Sequence, residues 1–400
     1  MKITKIETVE VTVPVQAPLR FAYGVHIAFT RTIIKMHTDE GIVGLGETAA
    51  SAAQVEALGK PIIGQNPFDL DVIRNIIGNR FYWSRDPLVA SGLEMACIDI
   101  MGKATGMPAY RLMGGKLRDA INMAAYCFYR YPSEETGAPA VSTPDEMASH
   151  AADLVDAFGF RTVKLKGGVL DARTEVATME AMRGRLGPDI RLRLDPQSAW
   201  TVETAIEMVP RLETVGLEYF EDPVAGQPNM ATVRQRTKLA MSTNMCVTSF
   251  DELGQAVQIR AIDVILTDPW YWGGPTQVKT LDTVARTMGI GLSMHSGIEL
   301  GIGMAVMAHT GVTMIGLTAA VDAHYHHLTD DIIKGDMLLP KDGVLAPPEG
   351  PGWGVELDED KVEKYREIHA SGIYRNVYVE ANTVGPDPNR PGWFPIIPAW

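Results

Sequence analysis

Apolar and polar positions divide the chain into two textures. Ile3, Ile6, Val9 and Val11 begin a strand-like region. Two β-rich runs, 30–36 and 42–46, flank Asp39-Glu40-Gly41 and predict a hairpin. The intervening stretch 16–28, with Pro18, Gly24 and His26, reads as a loop. Helical periodicity follows over 49–58, 70–77 and 88–104, the last ending near Gly106 and Pro108. These elements predict a small α+β domain.

From residue 122 short β-rich runs recur at 123–128, 162–166, 190–195, 218–221, 243–247, 264–268, 291–295 and 314–319. Helical segments separate them. One carries Val176, Met179, Met182 and Leu186 on a single face and stops at Gly187-Pro188. The next places Val202, Ala205, Ile206 and Val209 at i, i+3, i+4 and i+7, before Pro210. Eight strands alternating with helices over roughly 200 residues predict a (β/α) barrel. An open doubly wound sheet would carry a glycine-rich phosphate turn after an early strand, and Lys166-Gly167-Gly168 is not one. The expected division is 1–121, an N-terminal α+β domain; 122–330, the barrel; and 331–400, a C-terminal segment packing back on the first domain. A helix is expected over 358–369. Trp393, Phe394, Ile396, Ile397 and Trp400 need a surface to bury against.

Composition narrows the function classes. The chain has 400 residues, 46% hydrophobic, with 36 Lys+Arg against 49 Asp+Glu, a formal net charge of −13. That balance argues against broad nucleic-acid or anionic-membrane binding. It leaves room for a small anionic substrate at a site with its own positive charge. Three scattered cysteines, Cys97, Cys127 and Cys246, form neither a disulfide framework nor a zinc pattern and suggest a reducing compartment. The N-terminus lacks the apolar run of a signal peptide, and no segment is long and apolar enough to span a membrane. The expected location is the cytoplasm.

The strand ends carry the chemistry. Lys166, Asp195, Glu221, Asn244, Asp268 and His295 follow one another at intervals of 29, 26, 23, 24 and 27 residues, one βα unit each time. In a parallel barrel such side chains converge at one rim. Asp195, Glu221 and Asn244 offer three oxygen donors on adjacent strands, a set that suits Mg²⁺; Asp251 or Glu252 competes for the third place. Lys164 and Lys166 point to one face of their strand, flanked by Val163 and Leu165. Two ammonium groups beside a metal are expected to depress each other's pKa, so that one serves as a base. Asp268 and His295, from consecutive strands, suit a carboxylate-oriented imidazole acting as base or acid. His324, His326 and His327 cluster near the last strand but are not read as metal ligands. The constellation suits removal of a proton α to a carboxylate.

Lys164-x-Lys166, the Asp195/Glu221/Asn244 set, and Asp268 followed by His295-Ser296 resemble the enolase superfamily. Within it the chain is most similar to the glucarate dehydratase subgroup, through Val163-Lys164-Leu165-Lys166-Gly167-Gly168, Thr243-Asn244-Met245, Met294-His295-Ser296, Gly354-Val355-Glu356-Leu357-Asp358 and Asp387-Pro388-Asn389-Arg390-Pro391. The resemblance implies a (β/α)₇β modified TIM barrel with an α+β capping domain built from both chain ends. It also implies Mg²⁺, a homo-oligomer, and dehydration of an acid sugar to a 2-keto-3-deoxy acid. By position, Lys166 is the base on one face and Lys164 contacts the carboxylate. His295, oriented by Asp268, is the second base or the acid assisting hydroxide departure. His26, Tyr126, Gln197 and Arg390 are expected around the substrate. The chain departs from the subgroup at Phe21, Arg85-Asp86-Pro87, Gln197 and Ile298, positions that touch substrate in the family pattern. Rival readings are a racemase, epimerase or cycloisomerase of the same superfamily, a Schiff-base aldolase using Lys166, and a non-catalytic carboxylate-binding relative.

Overall fold

A computed structural model describes residues 1–78, 86–374 and 400; Arg85, Arg390 and the Pro- and Trp-rich run before Trp400 lie outside them. Strands β1 (Ile3–Phe21), β2 (Gly24–Thr38) and β3 (Val43–Thr48) form an antiparallel sheet in the order β1-β2-β3. The expected loop at 16–28 is strand instead, apart from the turn at Ala22-Tyr23. Pairing slips between Ile3 and Lys5 and again between Pro14 and Leu19, then resumes as Leu19, Arg20 and Phe21 face His26, Val25 and Gly24. Pro18 interrupts the period-two alternation at that bulge, which hides the strand from a pattern reading.

The sheet packs on the helix Pro87–Thr105, whose side chains from Ser91 to Ile100 are buried. Contact is close because Gly44 and Gly46 lack side chains. A Cβ at Gly44 would collide with the carbonyl of Ala96, and one at Gly46 with that of Gly92. The helix Glu359–Ser371 lies against β1 and β2, where Lys35 pairs with Glu359 at 2.7 Å and Thr12 Oγ1 meets His369 Nδ1 at 3.0 Å.

The chain then adds β4 (Ile121–Asn122), β5 (Ala125–Phe128), β6 (Thr162–Lys166), β7 (Arg191–Asp195), β8 (Leu217–Glu221), β9 (Met241–Thr243), β10 (Val264–Thr267), β11 (Gly291–Met294) and β12 (Val344–Leu345). Strands β5 to β11 form one parallel sheet in sequential order, and β4 pairs antiparallel with β12. The eighth barrel position is not the regular strand expected at 314–319. There Asp282 takes the N–H groups of Ile315 and Gly316, while Arg118 donates to the carbonyls of Met314 and Leu317. Side chains thus occupy groups a ladder would use. An irregular segment bridges the gap slightly later. Thr318 and Asp322 donate to Leu292 and Met294 of β11, while Val321 exchanges backbone bonds with Asn122 and Ala124.

Strand β9 also stops earlier than expected, at Thr243. The Asp222 carboxylate accepts from the Asn244 and Met245 N–H groups, and Thr243 Oγ1 accepts from Cys246. The backbone turns away, leaving Asn244 just past the strand end. Trp400 joins the barrel: its N–H donates to Ala199 O (3.1 Å) and its carbonyl accepts from Thr201 N (2.6 Å). Cys97, Cys127 and Cys246 are free thiols. No described helix is long and apolar enough to cross a membrane.

His309 ties the barrel helix Gly301–Gly311 to its surroundings. Nδ1 accepts from Tyr110 N at 3.2 Å, so Nε2 donates to Trp353 O at 3.1 Å. Burial is the main cause that lowers its pKa, to about 4. An unfolded chain binds this proton below about 6.5, whereas the folded one does not until about 4. The stability it contributes is therefore full above 6.5 and lost as pH falls toward 4. His309→Gln is expected to cost about 1–3 kcal/mol at pH 7.5. Thermal melts between pH 7.5 and 4.5 should fall less steeply for the variant than for the wild type; parallel slopes would refute this.

Candidate active site

Sheet register brings the site together. Lys166 on β6 lies opposite Asp195 on β7, and Tyr126 on β5 lies opposite Lys164. Lys166 Nζ donates to Asp195 Oδ2 at 2.7 Å. Lys164 Nζ donates to Glu221 Oε1 and Asp322 Oδ2, both at 2.7 Å, and lies 3.6 Å from Asp195 Oδ2. The Asn244 amide is 3.2 Å from Glu221 Oε1 and 3.2 Å from His295 Nε2. His295 Nδ1 lies 3.4 Å from Asp268 Oδ2, an ion-pair distance without a closed hydrogen bond. The other Asp268 oxygen is held by the Trp270 and Tyr271 N–H groups at 2.8 and 2.7 Å. Contacts thus run unbroken from Lys166 to Asp268.

Electrostatics differ from expectation at Lys164. Burial favours the neutral amine, but Asp322, Glu221 and Asp195 outweigh it and raise its pKa above the ordinary lysine value. The expected mutual depression of the two lysines fails there because three carboxylates surround this ammonium. Asp195 is held below the usual carboxylate range: burial opposes, and Lys166 and Lys164 prevail. Glu221 moves the other way, raised first by burial, with Lys164 opposing and Asp195, Asp322 and Asp222 reinforcing.

These residues fit a divalent cation. Glu221 Oε2 is buried with no hydrogen-bond partner. With its nitrogen toward Glu221 and Asp222, the Asn244 amide bonds both carboxylates and accepts from His295. Turned over, its oxygen lies 3.2 Å from Glu221 Oε1, which sets two hard donors side by side. Among the described residues no three His, Cys, Asp or Glu side chains are grouped to hold a metal. Of the competitors, Glu252 is engaged by Thr248 N and Ser249 N in the cap of the helix Phe250–Gln258, and Asp251 is exposed. His324, His326 and His327 are buried, and burial holds all three imidazoles below the ordinary histidine value.

Above these groups opens a cavity of about 910 Å³, lined by Lys166, Asn244, His295, Gln197, His26 and His324 among others. Phe21, Phe29, Trp270 and Ile298 supply apolar wall. Gln197 Oε1 accepts from the backbone of Ala22 at 3.0 Å, tying the β1–β2 turn to the barrel rim. Gln197, Ser198, Asp222 and Ile298 adopt φ between 33° and 65°, strained values that cluster around this rim. Tyr126 lies one layer down: its hydroxyl donates to Asp195 at 3.2 Å and its ring faces Lys164 at 4.6 Å.

Sequence reasoning missed Asp322 and gave His324 no place at the cavity. Asp322 falls 27 residues after His295, another full βα step, and was overlooked because the last strand was placed too early. His324 Nδ1 contacts Ser296 Oγ at 2.5 Å, and that hydroxyl donates to Glu299.

A parallel barrel with carboxylates, lysines and an imidazole on successive strand ends, under an antiparallel capping sheet, defines an α/β-barrel enzyme class. The chain belongs to the enolase superfamily: residues 3–114 match the mandelate racemase/muconate lactonizing enzyme N-terminal domain, and residues 146–361 match the enolase C-terminal domain-like family. It is 36% identical over 377 residues to a probable glucarate dehydratase of Streptomyces coelicolor, covering 86% of each chain. It is 26% identical over 381 residues to N-succinyl-L-Arg/Lys racemase of Bacillus cereus, covering 91% of this chain and 98% of that one. The structure of an enolase from Gibberella zeae complexed with magnesium, formate and sulfate is similar at a TM-score of 0.90 and 31% identity, covering 100% and 97% of the two chains.

Asn244→Ala is expected to weaken Mg²⁺ binding about 10- to 100-fold, the range seen when metal-supporting groups are lost. Calorimetric titration of the wild type and variant checks it. Superimposable isotherms would remove Asn244 from the donor set.

Proposed function

We propose that the chain is a Mg²⁺-dependent dehydratase of acid sugars, converting a 2,3-dihydroxy carboxylate to a 2-keto-3-deoxy acid. The observation that carries this reading is the meeting of Lys166 and His295 at one cavity, joined through Asp195, Glu221 and Asn244. Asp195, Glu221 and Asn244 would hold Mg²⁺, which when bound supplies a Lewis acid for carboxylate oxygens gaining negative charge.

The protein's own groups handle the protons. Lys166 removes the α-proton on its face; the electrons of that C–H bond move onto the carboxylate and then return to form the Cα=Cβ double bond as the Cβ–O bond breaks. His295, oriented by Asp268, gives a proton to the departing hydroxyl, which leaves as water. The resulting enol takes up a proton at Cβ and loses the one on its C2 hydroxyl to become the ketone. Lys164 contributes positive charge beside the carboxylate. His26 and Gln197 line the cavity and would contact the rest of the substrate; Tyr126 steadies Asp195 from below.

A racemase or epimerase is the second reading, because a proton acceptor and a proton donor on opposite faces also invert a carbon centre. The two separate by product: dehydration yields a 2-keto acid, inversion an isomer. A screen of mono- and diacid sugars with Mg²⁺, read by 2-keto-acid formation, is expected to find a substrate. Isomerised products alone would replace the dehydratase reading. Lys166→Ala should lower turnover about 10²- to 10⁴-fold on substrates deprotonated from its side. Full activity on every substrate would remove Lys166 from the mechanism.

A further inference from the structure

Beneath the cavity, Lys164, Asp195, Glu221, Asp322 and Arg193 are fully buried, so each charge needs a partner. The Lys164 ammonium shares three carboxylates: Glu221 and Asp322 at 2.7 Å, and Asp195 at 3.6 Å. Two of them, Glu221 and Asp195, also belong to the donor set proposed for Mg²⁺. A cation there competes with the ammonium for the same oxygens. Asp322 stands outside that set. Its second oxygen is 3.1 Å from Arg193 Nη1, which also donates to Ala320 O at 2.9 Å. Arg193 Nε is bound in turn to Glu218 Oε2 at 2.6 Å. A guanidinium held at both ends fixes the carboxylate it pairs with.

We propose that Asp322, clamped by Arg193, is a positioning residue that retains the Lys164 ammonium while a divalent cation takes Glu221 and Asp195. Without Asp322, the ammonium has only the donor-set carboxylates to hold and competes with the cation. The inference rests on the metal part of the proposed function and is independent of the substrate and the reaction.

The test is calorimetric titration of Mg²⁺ into the substrate-free full chain, for wild type, Asp322→Asn, Lys164→Met and the double variant. Wild type is expected to bind, and Asp322→Asn to bind about tenfold or more weakly. In the Lys164→Met background, adding Asp322→Asn is expected to change the affinity less than about twofold, because the competing ammonium is gone. Equal binding by wild type and Asp322→Asn overturns the proposal. So does the same loss in both backgrounds, which would mean that Asp322 acts on the ion directly. If Asp322→Asn is insoluble, comparison of the double variant with Lys164→Met decides: equal affinity supports the proposal, and a further loss overturns it. No Mg²⁺ binding by wild type overturns the metal assignment and this inference together, an outcome distinct from a loss seen only in the variants.

Discussion

The arrangement depends on compensating buried charge at the end of the barrel. Carboxylates and ammonium groups removed from water cost several kcal/mol each unless paired in good geometry. The barrel meets this demand through register. Pairing β6 with β7 sets Lys166 against Asp195, and the closing segment brings Asp322 to the other side of Lys164. Shifting one strand by a single residue would turn these side chains to the opposite face. The ladder that builds the barrel therefore also builds the charge network, and one cannot slip without breaking the other.

The capping sheet is locked to that rim by polar contacts. Glu47 on β3 accepts from the Leu300 and Gly303 N–H groups at 2.7 and 2.8 Å, serving the N-terminus of a barrel helix that lacks a side-chain cap. Trp270 donates its indole N–H to Glu47 O at 3.2 Å, and Arg31 donates to the carbonyl of Gly297, two residues past His295. The segments carrying Asp268 and His295 are thus gripped from the other sheet, which fits a cavity walled by both units.

Sequence alone made the strand-end chemistry legible because the βα unit has a steady length, so polar residues at that spacing announce a shared rim. Lys164, Lys166, Asp195, Glu221, Asn244, Asp268 and His295 all meet in the structure for this reason. What stayed hidden broke a local pattern. Pro18 and the bulge after Pro14 disguised strand as loop. Asp282 and Arg118 diverted backbone groups at 314–317, displacing the apparent last strand and with it Asp322. The Lys164 environment departs from the sequence reading because Asp322, its third carboxylate, falls on that displaced segment. Periodicity reports regular ladders well and is blind where side chains satisfy the backbone.

The overall charge of −13 sits beside a cavity whose lining carries Lys166 and Arg31. Screening reconciles the two. At physiological ionic strength the Debye length is about 8 Å, so exposed acidic side chains far from the mouth contribute little at the cavity floor. Local groups decide instead. The cavity lining includes Lys166 and Arg31 but no Asp or Glu; Asp195, Glu221 and Asp322 lie behind the lysines. Those carboxylates hold the ammonium groups in place, and of the two lysines only Lys166 lines the cavity. The net negative charge favours solubility, while the field at the cavity floor is set by the groups nearest to it.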